Sequence, residues 1–271
     1  MESFICPVCK QKLTQKNKSL VCENNHLYDI SKYGYVNLLM SQTSKDAHHG
    51  DSKEMIEHRR DFLDLGYYAK LRDFLCELSA QYASDGMTVL DIGCGECYYT
   101  SALGASLKEH NPKMIGIDIS KNALIYGSKR DKSIELAVAS AYDLPIEDSS
   151  ADLVVNLFAP HSDSELLRVT KQGGILIRVF PSSNHLWELK TAIYDTPVKN
   201  EAGSIQIEGF KPLNLYGIRY NITLKSNDEI KSLFGMTPYS YKTSAEDEKK
   251  LDSINELTTR VEFTVLIYKK I

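Results

Sequence analysis

Residues 88–100, Thr-Val-Leu-Asp-Ile-Gly-Cys-Gly-Glu-Cys-Tyr-Tyr-Thr, constrain the fold more than any other stretch of the chain. Val89, Leu90 and Ile92 form an apolar run that carries Asp91, breaks at Gly93 and Gly95, and gives way to an amphipathic segment from Tyr98. A buried strand, a glycine turn and a helix start make up the repeating unit of open α/β sheets. Ligands bind such sheets where strand ends meet helix starts. A dinucleotide loop would need a third glycine where Tyr98 stands, so the pyrophosphate fingerprint is absent. The next apolar run, 114–117, ends at Asp118, which puts a second carboxylate at a neighbouring strand end.

From this point strand and helix patterns alternate. Strands are predicted at 88–92, 114–117, 134–138, 153–158 and 175–180, followed by two alternating runs, Ile218-Tyr220-Ile222-Leu224 and Val261-Phe263-Val265-Ile267. The fold class is α/β: a doubly wound, mostly parallel seven-stranded sheet whose last two strands are antiparallel. Gly173-Gly174 is expected to cap a helix that includes Leu166 and Val169. A short helix over 230–233 should break at Gly235-Met236-Thr237-Pro238, and the charged stretch 246–250 reads as a solvated helix face. Ahead of the sheet, Asp51 with Glu54 reads as a capping box opening a helix through Met55, Ile56, Arg59 and Phe62. A second helix then lines up Tyr68, Leu71, Leu75, Leu78 and Tyr82 on one buried face.

The N-terminal segment follows another logic. Cys6-Pro7-Val8-Cys9, twelve residues, then Cys22 and, after three more, His26 give a C-x2-C-x12-C-x3-H spacing, in which two short turns each offer two soft ligands to tetrahedral zinc. So small a segment has little apolar core and needs the metal for its fold. A Cys as third ligand, with a strand-like 27–30, favours a zinc-ribbon-like pair of hairpins over a DNA-reading finger helix. The six cysteines therefore do not form a disulfide set: three sit with His26, Cys94 and Cys97 lie in the glycine loop, and Cys76 falls on a helical stripe. Residues 1–45 carry six Lys and three acids, a net +3, within a chain of net charge −4, so a polyanionic partner would meet this segment first. Tyr33 and Tyr35 beyond it either stack on unpaired bases or pack on the next domain. The polar stretch 41–50, with His48 and His49, reads as a linker. No apolar run approaches a membrane span and no signal pattern opens the chain, so a cytoplasmic protein with no membrane partner is expected. The divisions are 1–45 as zinc module, 46–84 as linker and N-terminal helices, and 85–271 as the catalytic domain.

Asp91-Ile92-Gly93-Cys94-Gly95, with Asp118 25 residues past the first glycine, resembles the cofactor loop of class I S-adenosylmethionine-dependent methyltransferases. That resemblance implies Gly93 and Gly95 under the methionine part of the cofactor, with Asp118 on its ribose. Ile119 would lie on one side of the adenine and Ala141 and Tyr142 on the other, with Asn156 beside the sulfonium. The order of motifs along the whole chain extends the likeness. The zinc spacing, Lys-Tyr-Gly-Tyr-Val-Asn-Leu-Leu, Arg-Arg-Asp-Phe-Leu, the glycine loop, Asn184-His185-Leu186-Trp187-Glu188-Leu189-Lys190 and Met236-Thr237-Pro238 together resemble the bacterial 23S rRNA guanine-N1 methyltransferase family. The family implies structural zinc on Cys6, Cys9, Cys22 and His26, and cofactor contacts at Tyr68, Gly95, Glu96, Cys97, Tyr98 and His185. It also implies a homodimer whose paired zinc modules grip an rRNA hairpin. Cys97 stands where glycine is expected, and a side chain there would crowd the loop.

Guanine N1 carries a proton at neutral pH, so methylation calls for a base or a site that favours the deprotonated form. Asp64, His185, Glu188 and Asn156 are the candidates for catalytic roles, and Tyr35, Tyr99, Phe158 and Trp187 for stacking on a flipped base. Two competing readings are a methyltransferase acting on a small molecule and a non-catalytic RNA-binding protein of the same fold. The basic, metal-folded opening argues against the first and the intact Asp91, Gly93, Gly95 and Asp118 against the second.

Overall fold

The computed structural model describes residues 1–40, 50–201 and 203–271; apart from Gly50, the stretch read as a linker, with His48 and His49, lies outside the described residues. The chain opens with three short strands, β1 (Thr14–Lys16), β2 (Ser19–Val21) and β3 (Leu27–Asp29), in one antiparallel sheet. Phe4, Leu13 and Leu20 are buried, but they pack with Leu144 and Ile146 of the following domain, so this small unit has almost no core of its own. β4 (Tyr35–Asn37) leaves it and pairs in parallel with β7 (Glu135–Val138).

Two helices come next, α1 (Lys53–Asp64) and α2 (Ala69–Ala80). Ser52, not Asp51, caps α1, accepting the Met55 N–H at 3.2 Å, a bond worth about 1 kcal/mol. The Asp51 carboxylate is instead drawn into an ion pair with Arg59 at 2.5 Å. The expected apolar face of α2 is present: Leu71, Leu75 and Leu78 are buried.

The remaining elements are β5 (Thr88–Ile92), α3 (Tyr98–Ser106), β6 (Lys113–Asp118), α4 (Lys121–Arg130), β7, β8 (Ala151–Leu157), α5 (Asp163–Val169), β9 (Thr170–Pro181), α6 (Trp187–Ile193), β10 (Phe210–Leu224), α7 (Asn227–Gly235), α8 (Ala245–Lys249) and β11 (Leu257–Lys270). The sheet order is β10-β11-β9-β8-β5-β6-β7-β4. The seven expected strands are all there, β10 and β11 antiparallel, and β4 adds an eighth at the edge. Successive side chains point to opposite faces, so Val89 and Leu90, Val155 and Val154, and Ile177 and Leu176 feed two separate cores. Each such fully buried side chain contributes about 1.5–3 kcal/mol.

Gly173-Gly174 does not cap a helix. α5 ends at Val169, β9 begins at the next residue, and the glycines sit inside the strand beside a register shift between Ala151 and Leu153. A Cβ on Gly174 would lie 2.9 Å from the Lys171 carbonyl and 3.2 Å from that of Asp152, so the strand passes this point only as glycine.

Candidate functional site

The order β8-β5-β6 reverses the direction of winding at β5, and a cavity of about 620 Å³ opens there over the carboxyl ends of these strands. Its lining includes Tyr68, Asp91, Gly93, Gly95, Glu96, Tyr98, Asp118, Ile119, Ala141, Tyr142 and His185 from the sequence reading. Three lining carboxylates are held by the fold. Asp118 accepts the Gly95 N–H at 2.9 Å and the Ser120 N–H at 2.7 Å, while burial raises its pKa. Asp91 accepts the Thr100 hydroxyl at 2.6 Å, and its other oxygen, also buried, has no partner; burial pushes this carboxyl up to about 7. Burial likewise lifts Glu96 to about 7, against the pull of Arg130, whose Nε lies 2.7 Å from it.

Gly93 has φ +82, and a Cβ there would fall 2.2 Å from the Ala159 Cβ, so the glycine loop and the end of β8 touch as only glycine permits. Cys97 also adopts a left-handed conformation, φ 64, yet it does not line the cavity. Its thiol packs where a Cβ on Gly127 would lie 2.6 Å away, so a glycine on α4 accommodates the side chain and the glycine loop is not crowded.

The candidates for catalytic roles are placed apart. Asp64 pairs with Arg130 at 2.9 Å outside the cavity lining. Glu188 accepts the Arg260 N–H at 2.8 Å and the Thr259 hydroxyl at 3.1 Å, fastening α6 to β11, and Asn156 donates its amide to the Ile92 carbonyl at 3.0 Å; neither lines the cavity. His185 does line it, but its Nδ1 accepts the Glu262 N–H at 3.2 Å and its Nε2 lies 3.3 Å from the Tyr68 hydroxyl. That pattern makes Nε2 the protonated nitrogen of a neutral ring, and burial holds the pKa at about 3. Of the stacking candidates, Tyr99 and Phe158 line the cavity, Tyr35 is buried in the core and Trp187 lies outside the lining. The sequence reading missed Asp51, Arg59, Tyr239 and Phe263 as lining residues. In the sequence Phe263 is no more than one apolar position in an alternating strand.

The second site lies in the N-terminal unit, where ligand atoms of Cys6, Cys9, Cys22 and His26 all lie within 4.8 Å of one another. Cys6 Sγ and Cys22 Sγ are each 3.4 Å from His26 Nδ1, and Cys9 Sγ is 3.6 Å from Cys22 Sγ. Ligands about 2.0–2.3 Å from a tetrahedral zinc stand roughly 3.4–3.8 Å apart, so this donor set fits that metal with no position left open. The knuckle is joined to the cavity wall: Ile5 N–H donates to the Pro145 carbonyl at 2.9 Å, and Lys10 pairs with Asp143 at 2.7 Å, next to Tyr142.

Residues 4–46 match the N-terminal zinc-ribbon family of RlmA, and residues 89–174 match a methyltransferase domain family. The chain is 30% identical to the 23S rRNA (guanine(748)-N(1))-methyltransferase of Streptomyces fradiae, over 96% of its own length and 95% of that protein's. It is 31% identical to a Bacillus subtilis (strain 168) protein whose name gives it provisionally as a 23S rRNA (guanine-N(1)-)-methyltransferase, over 98% of its own length and 97% of the relative's. The Bacillus cereus demethylmenaquinone methyltransferase, at 34% identity, matches only 34% of the chain. Among solved structures, the YcgJ protein of Bacillus subtilis shares the fold, with a TM-score of 0.51 at 16% identity over 73% of this chain and 97% of that one. Small-molecule enzymes thus share a segment with this protein, whereas the rRNA-modifying relatives share ribbon and sheet in one continuous alignment. The chain belongs to the 23S rRNA (guanine-N1)-methyltransferase family.

Proposed function

We propose that the protein transfers the methyl group of S-adenosylmethionine to N1 of a guanine in a hairpin of 23S rRNA. The observation that carries this reading is the alignment of ribbon and methyltransferase fold together, over 95% or more of both chains, with relatives named for that reaction. Bound in the cleft, S-adenosylmethionine supplies an electrophilic methyl group on a sulfonium, so the protein must hold a nucleophile in line and manage its proton. Asp118, oriented by two backbone N–H groups, would hold the ribose hydroxyls, and Ile119, Ala141 and Tyr142 in the same lining would hold the adenine. The unpartnered oxygen of Asp91 suits the methionine ammonium, a cation that would stabilise the ionised carboxylate. Glu96, Tyr98, Tyr68 and His185 close around the rest. His185 serves there as a neutral positioning group, because an imidazole with a pKa near 3 cannot take a proton from guanine N1.

Residues 1–45 act as the RNA-recognition module and 85–271 perform the chemistry, with 46–84 joining them. A cytoplasmic homodimer fits this division. The outer strand β10 leaves Leu213 and Leu215 exposed along a sheet edge, a surface suited to a second copy, and light scattering of a Leu215→Glu variant tests it. No helix among the described residues is long and apolar enough to cross a membrane. The reaction itself is tested with labelled cofactor and unmethylated 23S rRNA. An N1 methyl blocks Watson–Crick pairing, so primer extension should stop one nucleotide before the modified guanine. A stop at an adenine, or turnover of a small metabolite with no stop in the rRNA, would sink the reading.

A further inference from the structure

Beside the carboxylates assigned to the cofactor, the cleft carries a group of touching rings. The Phe263 ring lies 5.2 Å from that of Phe158, 5.0 Å from Tyr68 and 4.7 Å from His185, and Tyr99 lies 6.4 Å from Phe158, centroid to centroid. All five line the same cavity. Phe158 is 43% exposed, an unusual condition for a phenyl ring in the wall of a cleft. It sits at φ 58, a left-handed conformation that bulky side chains seldom adopt, and its N–H is tied to the Val179 carbonyl at 2.9 Å. Strain of this kind persists where the surroundings enforce it, and it collects at ligand sites. The residue that follows, Ala159, is the one pressed against Gly93, so this exposed ring is anchored directly beside the cofactor loop.

Tyr99, in the first turn of α3, presents the complementary feature. Its hydroxyl is buried and has no hydrogen-bond partner, a condition native proteins rarely tolerate unless a ligand supplies the partner. Burial raises its pKa well above the ordinary tyrosine value, so the group remains a neutral donor.

We propose that Phe158 and Tyr99 form the guanine-binding site, the flipped base stacking on the Phe158 ring and its O6 accepting a hydrogen bond from the Tyr99 hydroxyl. This rests on the guanine-N1 reading above and deepens it. Loss of the N1 proton leaves a negative charge shared between N1 and O6, and a donor fixed at O6 favours that form. The N1 lone pair then takes the methyl group, the electrons of the broken carbon–sulfur bond stay on sulfur, and the N1 proton has left to water. Tyr99 keeps its own proton throughout.

The test uses the full-length zinc-loaded protein and an rRNA hairpin, with cofactor affinity measured by calorimetry for every variant. Tyr99→Phe should lower kcat about tenfold or more, with the RNA KM and cofactor Kd within roughly twofold of the parent. Its kcat should also keep rising to higher pH, since the unassisted base must ionise. Phe158→Leu should raise the RNA KM about tenfold, and Phe158→Tyr should restore it. With 2-aminopurine in place of the target guanine, fluorescence should be quenched by the parent and brighter with Phe158→Leu. Parental kcat in Tyr99→Phe, parental KM in Phe158→Leu, or loss of cofactor affinity in Tyr99→Phe would overturn the assignment while leaving the reaction standing. A parent enzyme that leaves no stop at any guanine would overturn the functional reading, and this one with it.

Discussion

The ribbon and the α/β domain reach a folded state by different physics. In the ribbon each strand of the β1-β2-β3 sheet is three residues long, Val8 and Leu27 lie exposed, and the buried Phe4, Leu13 and Leu20 face the larger domain. Four side-chain ligands do the work of a core. The α/β domain instead buries both faces of an eight-stranded sheet, and that surplus of apolar contact lets it hold Asp91, Glu96 and His185 almost entirely out of water. Stability in one region is therefore a matter of metal affinity. In the other it is a matter of packing, part of which offsets the cost of burying polar groups at the cleft.

The difference is largest when the metal is removed. Cys22→Ser should lose zinc and unfold the ribbon, because structural zinc contributes on the order of 10 kcal/mol or more to a unit this small. The α/β domain should stay folded and still bind cofactor. Metal analysis with limited proteolysis checks both halves, and a ribbon that resists protease without zinc would break the contrast.

Asp118→Ala acts only on the other region. Two hydrogen bonds accepted by an ionised carboxylate, about 1.5 kcal/mol each, make a loss of roughly a hundredfold in cofactor affinity. Zinc content should be unchanged. Calorimetry that finds parental affinity would mean the ribose lies elsewhere.

What the sequence made legible follows the same division. The ligand spacing could be read directly, since tetrahedral geometry leaves few arrangements of two short turns. The sheet could be read because Val89-Leu90, Val154-Val155 and Leu176-Ile177 are apolar on both faces, as buried parallel strands must be. β4 was missed because three residues, Tyr35-Val36-Asn37, are too few to show a period. Asp51 and Ser52 are equally good caps on paper, and only Arg59, about two turns further along α1, decides between them. Glycines at 173 and 174 fit a helix cap as well as a kinked strand, and the choice depends on a carbonyl of Asp152 in the neighbouring strand. The base candidates were the least legible. Glu188 meets Arg260 72 residues away and His185 meets Glu262 77 residues away, and no local pattern foretells either bond.

Burial of His185 makes the α/β domain sensitive to acid in a way the ribbon's core does not explain. An unfolded histidine titrates near 6.5 and the folded one at about 3, so the unfolded state binds the extra proton across that interval. The stability contributed by the neutral ring is present above about 6.5 and is lost as pH falls towards 3, amounting to roughly 2 kcal/mol by pH 5. Asp91 and Glu96, raised to about 7, tilt the opposite way: their contribution is present below about 4 and is lost as pH rises through 7. The His185 part is isolated by comparing denaturant unfolding of the parent and His185→Gln. The gap between them should narrow from pH 6.5 to 5, and a constant gap would place the protonated ring in the folded protein.

The lysines of the ribbon should matter less, and only to RNA. Lys12, Lys16 and Lys18 are exposed, and no ion pair engages them among the described residues. Replacing all three with Ala should weaken hairpin binding about tenfold and reduce its salt slope by about 2–3, as fewer counterions are released. Cofactor affinity should not move. An unchanged slope would shift the RNA grip to the α/β domain.

The smallest effect bears on whether the two regions are coupled at all. Lys10 belongs to the zinc knuckle, and Asp143 follows Tyr142 in the proposed adenine wall, so their ion pair at 2.7 Å is a direct link between metal site and cofactor site. Both side chains are more than half exposed, 52% and 60%, and such a pair contributes at most about 1 kcal/mol. The backbone bond from Ile5 to Pro145 and the bridge between Phe4 and Ile146 hold the same loop without it. Lys10→Ala should therefore change cofactor affinity less than about threefold, and less still at high salt, where the pair is screened. A tenfold loss would show that the knuckle sets the shape of the cleft, and the zinc ribbon would then be part of the cofactor site as well as a handle for RNA.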